Sequence, residues 1–136
     1  MSEVDETMIS IVVVGAHLTG MPLNQQLTGP GGRLVKTCRT AADYRLFALP
    51  ATTPPKPGLV RQPGFKGQGL EVEIWELPAA AFGQFVQNIP APLGVGKILL
   101  DDGTFVSGFL CEFYAVDGAR DITHLGGWRA YINTLA

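Results

Sequence analysis

A chain of 136 residues, 46% hydrophobic and only 16% charged, has the size of one domain and can bury roughly 68–70% of its unfolded surface. That composition excludes a disordered polar tail, a coiled coil and a charge-laced helical rod, and the 17 glycines and 10 prolines follow no Gly-X-Y period, so a loop-rich globule is expected rather than collagen. The net charge of −2 conceals a basic stretch at residues 33–66, where Arg33, Lys36, Arg39, Arg45, Lys56, Arg61 and Lys66 face Asp43 alone.

That stretch holds few aromatics (Tyr44, Phe47 and Phe65) in a chain that is acidic overall. A site for a small anion therefore fits better than nucleic-acid binding. Solvated strand edges, where Lys and Arg discourage pairing, account equally well for any single one of these cations. The longest apolar-leaning stretch, Met8 to Ala16, falls far short of the ~20 residues of a membrane span, so no membrane partner is expected. The opening Met1-Ser2-Glu3-Val4-Asp5-Glu6 is acidic where a leader would be basic. It reads as a disordered acidic tail over residues 1–8 of a cytoplasmic protein, ahead of one domain over 9–136. Cys38 and Cys111 read as free thiols. With only His17 and His124 besides, no short-spaced ligand pair exists, so neither metal nor cofactor is expected.

In chain order, Ile9 to Val14 is a β-branched run that predicts a buried strand ending at Gly15. Residues 15–22 predict a loop whose Pro22 opens a short helix from Leu23 to Leu27, stopped by Gly29-Pro30-Gly31-Gly32. Strands follow at Arg33 to Arg39 and Tyr44 to Leu49. Residues 50–69, rich in proline and glycine and without periodicity, read as one long irregular segment of the kind that is functional or disordered. Leu70 to Leu77 resumes a strand in which Glu71 and Glu73 alternate with Leu70, Val72 and Ile74. Pro78 then opens a helix whose Phe82, Phe85, Val86 and Ile89 form an apolar stripe at i, i+3, i+4 and i+7, read as core. Lys97 to Leu100 and Thr104 to Val116 form a hairpin about Asp101-Asp102-Gly103, a tight-turn signal. A loop over Asp117 to His124 and a terminal helix over Trp128 to Leu135, docking Trp128 and Tyr131, complete the chain. The fold class is α+β: a mostly antiparallel sheet, curved or closed into a small barrel, flanked by short helices.

Familiar catalytic motifs are missing: there is no Gly-x-Ser-x-Gly elbow, no Walker loop and no Gly-x-Gly-x-x-Gly after a strand. What remains is the strand-to-loop junction Val14-Gly15-Ala16-His17-Leu18. A sharp turn after a buried strand can aim successive N–H groups into one concavity and make an anion nest. A histidine there can exchange a proton near neutrality; alternatively, His17 only ties the loop by hydrogen bonds. His124 reads as surface, and Asp101 and Asp102 as turn chemistry.

The segment Gly15-Ala16-His17-Leu18-Thr19-Gly20-Met21-Pro22-Leu23-Asn24 resembles the opening loop of the C-terminal domain of allophanate hydrolase. The resemblance continues through residues 40–46, Pro54-Pro55-Lys56-Pro57-Gly58-Leu59-Val60-Arg61, residues 72–78, Phe82-Gly83, residues 89–94, Val106-Ser107-Gly108-Phe109 and Gly126-Gly127-Trp128. It implies a γ-glutamylcyclotransferase-like fold with the first strand and loop lining the pocket. It further implies a role in converting N-carboxycarbamate, a dicarboxylate bridged by nitrogen, toward ammonia and carbon dioxide. The amidase domain that makes this dicarboxylate in such enzymes is not part of this sequence, so the chain is expected to be either a separately encoded partner of an amidase-domain protein or an excised piece of a longer enzyme, and a homodimer is left open. Between Glu76 and Asp101 there is no acid at all, which removes the glutamate that true cyclotransferases use as base.

On this reading the backbone amides of Gly15, Ala16, His17 and Leu18 take one carboxylate. Arg45 or Arg61 takes the other bidentately, and His17 supplies a proton to nitrogen. The rival reading is a non-catalytic accessory or assembly module for an amidase, in which His17 is dispensable; a cyclotransferase-like enzyme is the third.

Overall fold

The computed structural model describes residues 7–135. Most of the expected acidic tail, residues 1–6, lies outside them, and Met8 already belongs to the first strand. The strands are β1 (Met8–Val13), β2 (Arg33–Arg39), β3 (Tyr44–Ala48), β4 (Pro57–Arg61), β5 (Glu71–Pro78), β6 (Leu93–Leu99), β7 (Phe105–Cys111) and β8 (Arg120–Asp121). The helices are α1 (Gln25–Thr28), α2 (Ala79–Gln87) and α3 (Trp128–Thr134), with single 3-10 turns at Phe113–Val116 and Thr123–Leu125.

β1 runs through the middle of a five-stranded sheet in the order β2-β5-β1-β7-β6. Its continuous apolar sequence follows from burial on both faces: Ile11, Val12 and Val13 are each 0% exposed. All pairings in this sheet are antiparallel except β1 with β7, which meet in parallel at Val12 and Gly108. Gly108 permits that approach, since a Cβ there would lie 2.6 Å from Val12 Cβ. The sheet curls until its edges touch at one end, through the Thr40–Leu100 bridge and the bonds from Asp101 N to Arg39 O and Ala41 N to Leu99 O, 3.0 Å each. Contact at one end makes a curved sheet rather than a barrel closed along its length.

A second, antiparallel sheet in the order β4-β3-β8 packs beside it. The Leu99 N–H donates to Tyr44 Oη at 2.8 Å and joins the two sheets. The core gathers Leu18, Leu27, Tyr44, Leu46, Leu59, Leu70, Val72, Leu77, Ile98 and Trp128 with β1. Each large apolar side chain buried there contributes roughly 1.5–3 kcal/mol.

Several boundaries differ from expectation for identifiable reasons. The irregular segment at 50–69 contains β4, which pairs with β3 in the register Tyr44–Arg61 to Ala48–Pro57. Pro57, Gly58, Leu59 and Val60 are all buried, so no alternation betrays the strand, and its proline sits at the first position, where a missing N–H is tolerated. β6 begins at Leu93, earlier than expected, and β7 ends at Cys111, where the chain turns into a 3-10 segment. The loop at 117–124 contributes β8 to β3. Glu73, expected to alternate outward, is 3% exposed. The α2 stripe is not core: no α2 residue is fully buried, and Phe82, Phe85 and Ile89 are half-buried against the core's edge.

Candidate functional site

β1 delivers the chain into a loop that opens on a cavity of about 590 Å³. The loop folds on itself: the Leu18 N–H donates to Gly15 O at 3.0 Å, the Leu23 N–H to Ala16 O at 2.8 Å, and Asn24 Nδ2 to His17 O at 2.9 Å. Leu18 points into the core at 0% exposure, which turns its neighbour His17 toward the cavity. Among the described residues, no acceptor in the chain takes the N–H of Gly15, Ala16 or His17.

The opposite rim comes from the segment before β4. Pro57 packs directly over Gly15; a Cβ on Gly15 would lie 2.2 Å from Pro57 Cδ. That contact requires glycine and brings Lys56 to the cavity that His17 also lines. The segment is held by bonds from Leu49 N to Lys56 O at 3.1 Å and from Lys56 N to Thr52 Oγ1 at 2.9 Å. The third side is closed by Gln84 and Phe85 of α2 and by Asn88 and Ile89 just beyond it, and Phe109 of β7 forms part of the floor.

His17 is fixed on three sides. Its ring stacks on Phe109 with centroids 5.1 Å apart and meets Phe85 edge-on at 5.1 Å. Nε2 lies 2.8 Å from Gln26 Oε1 of α1. With that oxygen as acceptor, Nε2 carries the proton and Nδ1 keeps its lone pair. Burial pushes the imidazole below its usual pKa and the Lys56 charge adds to that, against an opposing contribution from the Gln26 bond. The side chain is therefore neutral near pH 7.

Among the described residues, no Asp or Glu lines this cavity, and the one full charge in its lining is the Lys56 ammonium. Uncommitted N–H groups, a cation, side-chain amides and apolar walls suit an anion with a small polar head. The same lining offers no carboxylate base for a cyclotransferase reaction. Among the described residues, no cluster of three or more His, Cys, Asp or Glu could hold a metal ion, and no helix is long and apolar enough to cross a membrane.

Of the expected site residues, the fold brings together Gly15, Ala16 and His17. Leu18 does not join them: its side chain is core and its N–H is already bonded. Arg45 and Arg61 do not line the cavity either. Arg61 Nε donates to Asp43 Oδ2 at 2.9 Å, at the far end of β4 from Pro57, roughly 13 Å along a strand. Arg45 pairs with Asp121, donates to Gln62 Oε1 at 2.8 Å, and stacks over Phe47 and Phe65. Sequence reasoning passed over Lys56, Gln26, Gln84 and Asn88. Lys56 did carry a signal, as a lone cation among prolines that restrict its backbone. Gln84 and Asn88 lie at i and i+4 beside the apolar stripe.

Residues 9–133 match the family described as "Allophanate hydrolase C-terminal domain". The urea amidolyase of Saccharomyces cerevisiae is 42% identical over 132 residues, which span 95% of this chain and 7% of that protein. The allophanate hydrolase structure from Kluyveromyces lactis superposes with a TM-score of 0.90 at 36% identity, over 96% of this chain and 22% of that one. A uropathogenic E. coli-specific protein of nearly the same length superposes with a TM-score of 0.84 at 38% identity, over 93% and 97% of the two chains. A gamma-glutamyl cyclotransferase structure, 9% identical with a TM-score of 0.58, shares the fold alone. This chain belongs to the allophanate hydrolase C-terminal domain family, and it spans a small part of the urea amidolyase and allophanate hydrolase chains it matches.

Proposed function

We propose that this member of the allophanate hydrolase C-terminal domain family binds N-carboxycarbamate in the His17–Lys56 cavity and promotes its breakdown to carbon dioxide and ammonia, as a step in urea and allophanate degradation. The observation that carries the reading is that Lys56 and His17 line one cavity to which, among the described residues, no carboxylate contributes. Lys56 takes the place that Arg45 and Arg61 held in the sequence reading. Its ammonium pairs with one carboxylate of the dianion, and the N–H groups of Gly15, Ala16 and His17 supplement it as fixed donors.

The second carboxylate then lies among Phe85, Ile89 and Phe109. An apolar wall disfavours a localised carboxylate charge relative to the neutral carbon dioxide it becomes. As that C–N bond breaks, its electron pair stays on nitrogen, which takes a proton. The products of this step are carbon dioxide and carbamate; with a further proton, carbamate yields ammonia and a second carbon dioxide. His17 is neutral in the empty cavity, but a dianion beside it favours the imidazolium, so the proton donor is made as the ligand binds. An amidase-domain protein acting on allophanate is the source of the dicarboxylate and hence the expected partner.

The test is to add purified protein to an amidase-only allophanate hydrolase and time carbon dioxide release. Acceleration by the wild-type protein that His17→Ala abolishes supports the proposal. An unchanged time course sinks it and favours the accessory-module reading.

A further inference from the structure

The loop that carries His17 is fastened to α3 through an ion pair whose carboxylate is buried and whose guanidinium is half-buried. Glu73 of β5 is 3% exposed, and both its oxygens are committed. Oε1 accepts from Thr19 N at 2.9 Å, Thr19 Oγ1 at 3.0 Å and Trp75 Nε1 at 2.9 Å. Oε2 accepts from Arg129 Nη2 at 3.0 Å. That same Nη2 also donates to Thr19 O at 2.7 Å, while Nη1 reaches Glu71 Oε1 at 3.1 Å. Burial alone would raise the Glu73 carboxyl, but the bonds from Trp75, Thr19 and Arg129 outweigh it and hold the group below the usual carboxylate range.

From this geometry we infer that Glu73 and Arg129 are positioning residues for His17, and that α3 acts as an anchor for the site loop. Thr19 lies two residues beyond His17, and its N–H, hydroxyl and carbonyl are all held by this pair. On the other side, His17's own carbonyl is held by Asn24, and Leu18 between the two clamps is seated in the core. The loop therefore cannot pivot while the network is intact. α3 is fixed in turn: Trp128 is 1% exposed, and the Glu71 N–H donates to Gly126 O at 2.9 Å just before the helix. A lysine at position 129 could match the charge, but one ammonium lacks the guanidinium's planar fork to span Thr19 O, Glu73 and Glu71 together.

The inference rests on the proposed role of His17, so its experiment includes a readout that needs no substrate. The ring resonances of His17 are followed against pH by NMR in wild type, Arg129→Gln, Arg129→Lys and Glu73→Gln, alongside timed carbon dioxide release. In the glutamine variants a freed loop should broaden the His17 signals and move its titration back toward the ordinary imidazole value. Turnover should fall on the order of 10²-fold, the usual consequence of a misplaced group, with Arg129→Lys intermediate. If Arg129→Gln does not fold, Thr19→Val severs one strand of the same network and should show the same shift in smaller measure. Unchanged His17 resonances and titration in the folded variants would overturn the inference and leave the pair as a brace of the fold. If wild type shows no turnover, the functional proposal fails, but the His17 titration still decides this one.

Discussion

The two ends of β4 treat positive charge in opposite ways. At its start, Lys56 stands beside Pro57 in a cavity to which, among the described residues, no acid contributes. At its end, Arg61 is matched to Asp43, and on the neighbouring strand Arg45 is matched to Asp121. Three cations of one basic stretch thus have different destinies within a single pair of strands. A guanidinium already bonded to a carboxylate has little left to offer an incoming anion; an ammonium without such a partner keeps its attraction, and less solvent screens it in a partly enclosed cavity. The lesson is that availability, rather than the number of cations, locates an anion site.

The severest way to break this comparison is to remove the group proposed to make the cavity reactive rather than merely attractive. His17→Ala should slow carbon dioxide release by ~10²–10⁴-fold, the range of a general acid, while malonate, a stable dicarboxylate, still binds. A wild-type rate in this variant would reduce the cavity to a binding site. Next in size is the contrast between the strand's two ends. Lys56→Met should weaken malonate binding by ~1.5–3 kcal/mol, the usual contribution of a charged hydrogen bond, and Arg61→Ala should leave it unchanged in the same calorimeter. The reverse result would return the anion site to the far end of β4.

Gly15→Ala probes what joins the cavity's two walls. The new methyl would overlap Pro57, whose ring atoms stand 2.2 and 2.4 Å from the Cβ position, and overpacking of that kind costs ~1–3 kcal/mol. Chemical denaturation should show that loss, and the displaced Lys56 should bind malonate more weakly. Normal stability with normal affinity would mean that the two walls are not rigidly joined.

Legibility in the sequence followed how each element is buried. β1 was plain because Ile11, Val12 and Val13 are apolar in succession. The Asp-Gly turn announced its hairpin, and the glycine-bounded loop announced His17. β4 was hidden, because burial on both faces erased its alternation and its prolines imitate a loop. Which cation lines the cavity was hidden for a related reason: Arg45, Arg61 and Lys56 are equivalent as letters, and only the fold brings Asp43 and Asp121 to two of them. Glu73 was unreadable as a buried anchor because its partners, Thr19 and Arg129, lie 54 and 56 residues away. Phe85 and Ile89 were seen as one stripe of an expected helix, but periodicity does not distinguish a core face from a cavity wall.

The smallest expected effect is a dependence on pH whose sign changes when the cavity is filled. In the empty protein, burial and Lys56 hold His17 below the ordinary imidazole value of 6.5, and Gln26 opposes them only in part. The unfolded chain therefore takes a proton on this ring before the folded one does. The stability that follows is present above pH 6.5 and is lost as pH falls through the folded value. Wild type should accordingly lose more stability on acidification than His17→Gln, since every other titrating group is common to both. With malonate bound, the dianion raises the same ring's pKa, so binding draws in a proton over the interval between the free and bound values. Affinity should then be greatest at low pH and decline as pH rises through the bound value, for as long as malonate remains doubly ionised. Calorimetry in buffers of different ionisation enthalpy would register the proton uptake in wild type and its loss in His17→Gln. Equal heats for the two proteins would show that the dianion is balanced by Lys56 and the loop amides alone, and that the proton delivered to nitrogen does not come from His17.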